Sequence, residues 1–242
     1  MIALFKTFFC SLFIGFTVFS NAQTPSSHEN NNKSPINIIL PATFIVGGVA
    51  LNGSTLEKKF AIDVRNEVGN DYQFKIDDYI QYLPMVEMYA ADALGVESKN
   101  NWKNQTKYLA LSQLSTALIV HTIKFGLKKE RPDHTANSFP SGHTSQSIVG
   151  ATVLFHEFKD EKPLLAYSGY IFVATTGAFR IINNRHWLSD VVFGAGVGLL
   201  MTNIVYHLEP LKKLSFSNKK NEMSFFPYYN GSETMICYSI RF

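Results

Sequence analysis

Three short segments between residues 124 and 190 decide how this chain folds: KFGLKKERP at 124–132, PSGH at 140–143 and RIINNRHWLSD at 180–190. The first and third segments supply three cations, Lys124, Arg131 and Arg180. A guanidinium group is a planar fork that binds two oxygens of one anion, whereas an ammonium group acts as a point charge. Together the three cations predict a site for a multiply charged oxyanion such as phosphate.

The second segment adds backbone donors to this site. Ser141 and Gly142 lie where a loop becomes an apolar helix that begins near His143. N–H groups in the first turn of a helix have no intrahelical acceptor and point toward an anion. Gly142 lets the backbone approach closely because it has no Cβ. Taken alone, the segment is also typical of an ordinary turn with a helix cap.

Two histidines and an aspartate provide acid–base chemistry. His186 and Asp190 are four residues apart and would share one face of a helix. The carboxylate can then keep one ring nitrogen protonated and leave the other free to attack phosphorus. His143 is a second imidazole, suited to protonating a leaving oxygen. Alone, Lys124 would also fit a solvated basic helix end, and His186 beside Trp187 an interfacial histidine, but the three segments together favour the anion site.

The three segments resemble the motifs of the type 2 phosphatidic acid phosphatase superfamily, which also includes bacterial class A acid phosphatases and vanadium haloperoxidases. The resemblance spans residues 78–208. The third motif departs from the pattern, because the family usually has Ser before this arginine and the chain has Phe179 before Arg180. The departure removes a hydroxyl near the phosphate but no charged or nucleophilic group. It therefore bears on substrate preference and not on the type of reaction.

The resemblance implies a metal-independent phosphatase without a cofactor. It implies that His186 is the nucleophile that forms a phosphohistidine, that Asp190 orients His186, and that His143 protonates the leaving oxygen. The phosphate-binding residues that it implies are Lys124, Arg131, Ser141, Gly142 and Arg180. The expected fold is all-α, a membrane-embedded bundle of about six helices with a short hairpin-like tail.

Patterning along the chain predicts four regions: a signal peptide at 1–22, a flexible linker at 23–35, the helical phosphatase domain at 36–212 and a tail with a hairpin pattern at 213–242. In the first region Lys6 is the only charge, and small residues follow the apolar stretch. An uncleaved membrane helix is the alternative. Cleavage would leave Cys237 as the sole cysteine, which excludes an internal disulfide.

Two features near the start of the domain predict helices. Ser54-x-x-Glu57 is a capping box that opens an amphipathic helix lying on a surface. Asp77-Asp78 precedes a helical stretch from Tyr79 to Leu94 and can cap its start; a metal-binding pair is the less favoured alternative. Later in the chain, Lys128 and Lys129 fall outside the motifs and are interpreted as solvated or lipid-headgroup contacts.

Composition and resemblance together indicate the substrate class. Apolar residues make up 46% of the chain and the net charge is only +3, which does not indicate a nucleic-acid partner. No obligate protein partner is evident. We expect a phosphorylated membrane lipid, with lipid A favoured over polyprenyl pyrophosphate and phosphatidate types. The expected location is the inner membrane of a Gram-negative bacterium, facing the periplasm, or else the periplasm or outer membrane.

Two other activities remain open at this stage. A mean hydropathy of 0.00 is low for six membrane-spanning helices, so a soluble periplasmic acid phosphatase acting on small esters is the alternative. A vanadate-dependent haloperoxidase is a further alternative, because the same cradle of cations binds vanadate. The short chain and the exported, lipid-like core make it the less favoured one.

Overall fold

The computed structural model describes residues 38–69, 72–214 and 216, and the backbone of two strands at 222–229 and 234–241. The predicted signal peptide and linker, and Asn230-Gly231, where the hairpin pattern predicts a turn, lie outside the described residues. The described elements, in chain order, are the helices α1 Ile39–Leu51, α2 Thr55–Val68, α3 Asp77–Ile80, α4 Leu83–Ala93, α5 Trp102–Leu127, α6 Gly142–Phe158, α7 Pro163–Ile182, α8 Leu188–His207 and α9 Glu209–Lys213, and the strands β1 Glu222–Tyr229 and β2 Thr234–Arg241.

The helical domain is all-α within its described residues, but its helices outnumber the predicted six. Seven helices have eleven residues or more, and α3 and α9 are short. One cause is a break in the stretch predicted as a single helix from Tyr79 to Leu94. Pro84 lies in the first turn of α4, the position where its missing N–H and fixed φ are tolerated. The chain therefore closes α3 before Gln81 and starts α4 as a new helix.

Helix α8 lies at the centre and packs closely against α1 and α6 through glycines. A Cβ added to Gly198 would come within 2.4 Å of Ile148 Cγ2 on α6, and one added to Gly48 on α1 would come within 2.6 Å of Phe193 Cβ. Such distances leave no room for a side chain. The small residues of α8 therefore fix how near the neighbouring helices approach.

We expect Gly198→Ala to lower the free energy of unfolding by about 1–3 kcal/mol, the usual range for overpacking a filled core. Gly126→Ala is the matched control, because nothing lies within 4 Å of a Cβ built at that helical position. Alanine there should be neutral or stabilise by up to about 1 kcal/mol. Unfolding of both variants in detergent measures the difference. Equal stability of the two variants would contradict the close packing of α6 and α8.

Two helices, α7 and α8, are long and apolar enough to cross a membrane, judged by length and composition. A third span results if α1 and α2 count as one, although their axes differ by 84° at the Asn52-Gly53 break. Large apolar side chains also face outward on α5 and α7, where Leu118 is 71% exposed and Leu164 is 91% exposed. An apolar outer face of this kind is typical of contact with lipid or with another apolar surface.

The tail at 213–242 contains the two strands β1 and β2, which lie where the sequence has its hairpin pattern. Strands β1 and β2 pair antiparallel, with Glu222 opposite Arg241 and Tyr229 opposite Thr234. They form a two-stranded sheet of their own.

Candidate active site

Four helix ends meet at one end of the bundle. The C-terminal ends of α5 and α7 carry Lys124 and Arg180, and the N-terminal ends of α6 and α8 lie within the PSGH segment at 140–143 and the HWLSD segment at 186–190. The Ser141 N–H donates to the backbone oxygen of Asp190 at 3.0 Å. This bond holds the first turns of α6 and α8 side by side. All of the predicted site residues therefore lie at the same end.

Asp190 is the hub of this end of the bundle and is fully buried. Its Oδ2 accepts the Trp187 N–H at 2.8 Å, lies 3.3 Å from His186 Nδ1, and accepts a short hydrogen bond from the Ser138 hydroxyl. The predicted shared helix face is wrong, because α8 begins only at Leu188 and His186 precedes it. Asp190 instead caps the helix start, and this cap places its carboxylate against the imidazole.

His186 has a neutral imidazole whose Nδ1 faces the Asp190 carboxylate. Its side chain is only 2% exposed, and burial lowers its pKa to about 4, against the opposing effect of Asp190. The nearby charges of Arg180 and Lys124 lower this pKa further. Because Nδ1 faces the carboxylate, Nε2 is the nitrogen with a free lone pair. A neutral imidazole held in this way is a competent nucleophile at neutral pH.

Lys129 contacts Asp190 and is not the solvated lysine that the sequence predicts. Its Nζ lies 3.0 Å from Asp190 Oδ1 and 2.9 Å from Ser189 Oγ, and it is 18% exposed. The cause is the end of α5, where Lys128 adopts a left-handed conformation with φ of 47°. The chain turns there, and the next side chain points inward. A cation beside Asp190 favours the ionised carboxylate.

Glu57 completes this buried ion cluster from the start of α2. Its side chain is 1% exposed and lies 3.4 Å from Lys129 Nζ. It accepts the N–H groups of Gly53 at 2.8 Å and of Ser189 at 3.0 Å. Only half of the predicted capping box is present: Ser54 Oγ accepts the Glu57 N–H, whereas the Glu57 carboxylate accepts the N–H of Gly53 and not that of Ser54, which donates to the Leu51 oxygen. The sequence signal for the cap was present, but nothing in it indicated that the same carboxylate also reaches α8.

The three predicted cations lie near one another, and Lys124 and Arg180 are also near His186. Burial lowers the pKa of Lys124 to about 8, and the charges of Arg131 and Arg180 add to this effect. Lys124 Nζ donates to the Asn137 oxygen at 2.8 Å. The Nε atoms of Arg131 and Arg180 are buried and have no hydrogen-bond partner in the described part of the chain. Neighbouring cations and buried donors without acceptors destabilise a protein on their own. A bound anion that accepts their hydrogen bonds removes this cost.

The start of α6 contributes amides to the same place. Ser141 is fully buried and its hydroxyl caps the helix, since it accepts the Thr144 N–H at 3.4 Å and lies 2.9 Å from Thr144 Oγ1. The hydroxyl is thus engaged within the protein. Gly142 and His143 occupy the first two positions of α6, where backbone N–H groups have no intrahelical acceptor. Nothing lies within 4 Å of a Cβ built on Gly142, so an anion can approach this turn closely.

His143 is held by an aspartate that the sequence did not assign to the site. His143 Nε2 lies 2.9 Å from Asp78 Oδ1, and the same oxygen is 3.6 Å from Arg180 Nη1. Burial and then Arg180 lower the pKa of His143, whereas Asp78 raises it. Asp78 therefore supports the protonated imidazole that a general acid requires.

Asp77, the neighbour of Asp78, is paired with Arg180. Its Oδ2 accepts from Arg180 Nη1 at 2.6 Å, and its Oδ1 accepts from Asn183 Nδ2 at 2.8 Å. The predicted helix cap is wrong, because neither carboxylate caps α3. Asp77 instead accepts from Arg180 on α7, and Asp78 contacts His143 on α6. Among the described residues, no three His, Cys, Asp or Glu side chains are grouped to hold a metal ion.

A family model confirms the resemblance indicated by the motifs. Residues 105–213 match the model of the PAP2 superfamily, and this range contains the three motifs in full. The three motifs thus lie within the range that is similar to this superfamily.

One curated relative has a name that describes a phosphatase. The chain is 34% identical over 153 residues to a protein of Porphyromonas gingivalis named lipid A 1-phosphatase, a match that covers 62% of this chain and 34% of the relative. The chain therefore spans about a third of this curated relative's length.

Two solved structures match the chain, and the first of them is similar in fold. The first, a transmembrane PAP2 type phosphatidylglycerolphosphate phosphatase from Bacillus subtilis, has a TM-score of 0.53 and 17% identity, covering 73% of this chain and 98% of that one. The second, LpxE from Aquifex aeolicus, has a TM-score of 0.49 and 19% identity, covering 64% of this chain and 98% of that one.

Proposed function

We propose that this protein is a metal-independent phosphatase that removes a phosphate monoester from a membrane lipid through a phosphohistidine. One observation carries the proposal: the neutral His186 is oriented by Asp190 and lies near Lys124 and Arg180, and Arg131 lies near these two cations. A phosphate bound by these cations has its phosphorus next to a nucleophilic nitrogen. Positioning and charge stabilisation supply most of the catalysis in phosphoryl transfer.

In the first step His186 Nε2 attacks phosphorus in line with the ester oxygen. The new N–P bond forms as the P–O bond to the lipid breaks, and His143 gives its proton to the departing oxygen. Asp190 stabilises the positive charge that develops on the imidazole. The three cations and the first amides of α6 bind the non-bridging phosphoryl oxygens, where negative charge is concentrated.

In the second step water hydrolyses the phosphohistidine. His143, now neutral, takes a proton from the water as its oxygen attacks phosphorus. The N–P bond breaks, inorganic phosphate leaves, and His186 returns to its neutral form with the Nδ1 proton still facing Asp190. His143 regains its acidic form and the cycle closes without a metal ion.

We further propose a glycolipid of the lipid A type as substrate and an envelope membrane as the location. The name of the Porphyromonas gingivalis relative supports the substrate. The apolar helices α7 and α8 and the exposed apolar side chains of α5 support attachment to a membrane. The roles of His186, Asp190, His143 and the five phosphate-binding residues remain those implied by the resemblance.

The function is tested by phosphate release from lipid A by the purified full-length protein in detergent micelles. We expect turnover that persists in excess EDTA, because the cradle is cationic and offers no ligand set for Mg²⁺ or Zn²⁺. Vanadate should inhibit by imitating five-coordinate phosphorus. Loss of activity in EDTA that a divalent ion restores would refute the mechanism, and absence of turnover on lipid A would refute the substrate.

We expect Asp78→Asn to shift the alkaline limb of the pH–rate profile toward lower pH. His143 must be protonated to act as the acid, so the rate falls as pH rises through its pKa. Asp78 raises that pKa, and its removal lowers it. The acid limb, set by deprotonation of His186, should stay in place. With p-nitrophenyl phosphate, whose leaving group needs no proton, the shift should be much smaller. An unchanged profile on lipid A would contradict this role of Asp78.

We expect Lys129→Met to lower kcat and to destabilise the fold by about 3–5 kcal/mol, since it leaves the buried Asp190 and Glu57 without their cation. Lys128→Met is the matched control, because Lys128 is exposed. Rates and unfolding midpoints of the two variants test the contrast. Equal effects at the two positions would show that Lys129 contributes only general positive charge.

A further inference from the structure

Helix α2 contacts both ends of the loop that carries His186. Near the end of α2, Arg65 Nη2 donates to the backbone oxygen of Ile182, the last residue of α7, at 2.6 Å. Near the start of α2, the Glu57 carboxylate accepts the N–H of Ser189 at 3.0 Å, in the first turn of α8. The two contacts bracket the loop between α7 and α8, so α2 lies across it as a strap.

The charges of the two strap residues fit the helix ends that they contact. The C-terminal end of a helix carries a partial negative charge and its N-terminal end a partial positive charge. The Arg65 guanidinium lies at the end of α7, and the Glu57 carboxylate lies at the start of α8. Arg65 Nη1 also donates to the Gly69 oxygen at 2.7 Å, which ties the guanidinium to the end of α2. Helix α2 precedes the range that matches the PAP2 superfamily model, so the three motifs do not include the strap.

Glu57 also changes the charge beside His186. Lys129 Nζ lies 3.4 Å from Glu57 and 3.0 Å from Asp190. Lys129 and Asp190 alone would form a neutral pair, whereas two carboxylates around one ammonium carry one net negative charge. When His186 Nε2 binds phosphorus, the imidazole becomes a cation, and a net negative charge beside it stabilises that cation.

Burial of Glu57 indicates a role beyond the cap of its own helix. The side chain is 1% exposed, and burial of a carboxylate is costly even when a cation is shared with it. A carboxylate that served only the start of α2 could stay in water, as Asp63 does on the exposed side of the same helix. Glu57 instead lies where it reaches the first turn of α8 and the cation beside Asp190.

We propose that α2 is a strap in which Glu57 and Arg65 are positioning residues for the nucleophile. Together they fix the two ends of the His186 loop. By sharing Lys129 with Asp190, Glu57 also keeps one net negative charge next to the imidazolium of the phosphohistidine. Neither strap residue touches the substrate. The assignment rests on the proposed phosphatase function.

The protonation of His186 reports the charge that Glu57 supplies. The charged side chains that act on this imidazole, directly or through its aspartate, are Asp190, Lys129, Arg180 and Lys124. Burial lowers the pKa of His186, the carboxylate raises it, and the cations lower it further. A further negative charge favours the protonated ring, so removal of Glu57 lowers this pKa. The nucleophile must be neutral, so the acid limb of the pH–rate profile moves with the pKa.

We expect Glu57→Gln to move the acid limb to lower pH by about 0.5 unit, the order expected for one charge that acts through a neighbouring ion pair. Above the limb, kcat should fall by about threefold to thirtyfold, because the phosphohistidine loses this charge and the loop loses its position. Phosphate release from p-nitrophenyl phosphate by the full-length protein in micelles measures both, since this leaving group needs no proton. Asp63→Asn is the matched control and should leave the limb and kcat in place.

Arg65→Met tests the other end of the strap. Its kcat should fall by about threefold to tenfold with the acid limb in place, because Arg65 acts on the geometry of the loop and lies outside the ion cluster. Arg65→Lys, which keeps a donor for one of the two carbonyls, should recover part of this loss. Lys58→Met is the matched control, because Lys58 is exposed on the same helix, and it should keep the wild-type kcat.

Two results would overturn the strap while leaving the phosphatase function intact. The first is an acid limb in Glu57→Gln that stays in place or moves to higher pH. The second is a loss of kcat in Asp63→Asn equal to that in Glu57→Gln. If Glu57→Gln does not fold, Arg65→Met decides, and a wild-type kcat there would refute the strap. Absence of turnover by the wild type on both lipid A and p-nitrophenyl phosphate would instead refute the proposed function, and the strap with it.

Discussion

Replacing His186 by Gln is expected to reduce phosphate release by about four orders of magnitude or more, as loss of a nucleophile does in other covalent mechanisms. Gln keeps much of the buried volume, and its amide can still donate to Asp190. The fold should therefore survive, although His186 is only 2% exposed. Lipid A hydrolysis by the purified variant measures the rate, and its unfolding midpoint verifies the fold.

The matched control for this variant is His207→Gln at the far end of α8. His207 Nδ1 contacts the Asn203 oxygen at 2.7 Å, within its own helix. Its replacement should leave turnover close to that of the wild type. Wild-type activity in His186→Gln would refute the assignment of the nucleophile.

Arg180→Lys should lower kcat by about tenfold to a thousandfold, comparable to loss of one preorganised donor to a developing oxyanion. Lysine keeps the charge but loses the paired geometry of the fork. Arg180 Nη1 also donates to the buried Asp77 carboxylate at 2.6 Å. A lysine ammonium cannot contact Asp77 and the phosphoryl oxygens with the same paired geometry. Arg131→Lys should behave similarly, because its Nε is also a buried donor without a partner among the described residues.

Arg185→Lys provides the control for charge without geometry. Arg185 Nη1 contacts Asp133 at 3.0 Å and its side chain is 36% exposed. We expect its kcat to stay within about threefold of the wild type, as for a surface ion pair worth little. Equal rate losses at Arg180 and Arg185 would mean that the cations act as a diffuse positive field and not as a cradle for the phosphoryl oxygens.

The motifs predicted the site residues that lie near one another in sequence or follow helix ends. Lys124, Arg131, Arg180, His143 and His186 all come to one end of the bundle because helix ends and short loops carry them. The spacing of His186 and Asp190 predicted their contact but not its form. A helical face and a helix cap both bring residues i and i+4 together, and sequence distance does not distinguish them.

The residues that sequence reasoning missed are those that reach the site from distant helices. Glu57 contacts Ser189 across 132 residues of chain, and Asp78 contacts His143 across 65. Their own segments had complete local explanations, a capping box and an acidic helix start. Only the packing of α2 and α3 against α6, α7 and α8 decides where these carboxylates point. Lys129 was predicted to be solvated for a related reason. Nothing in the sequence indicated that Lys128 adopts the left-handed conformation that turns the Lys129 side chain inward.

The central claim is that the phosphate passes through His186, and the most direct measurement is trapping of the covalent intermediate. Rapid quenching of the full-length protein with ³²P-labelled lipid A should give a label on the protein that is stable to base and labile to acid, as expected for a phosphohistidine. The label should map to the peptide that contains His186 and be absent from His186→Gln. A label on another residue, or turnover without any labelled protein under conditions that resolve the burst, would contradict the account.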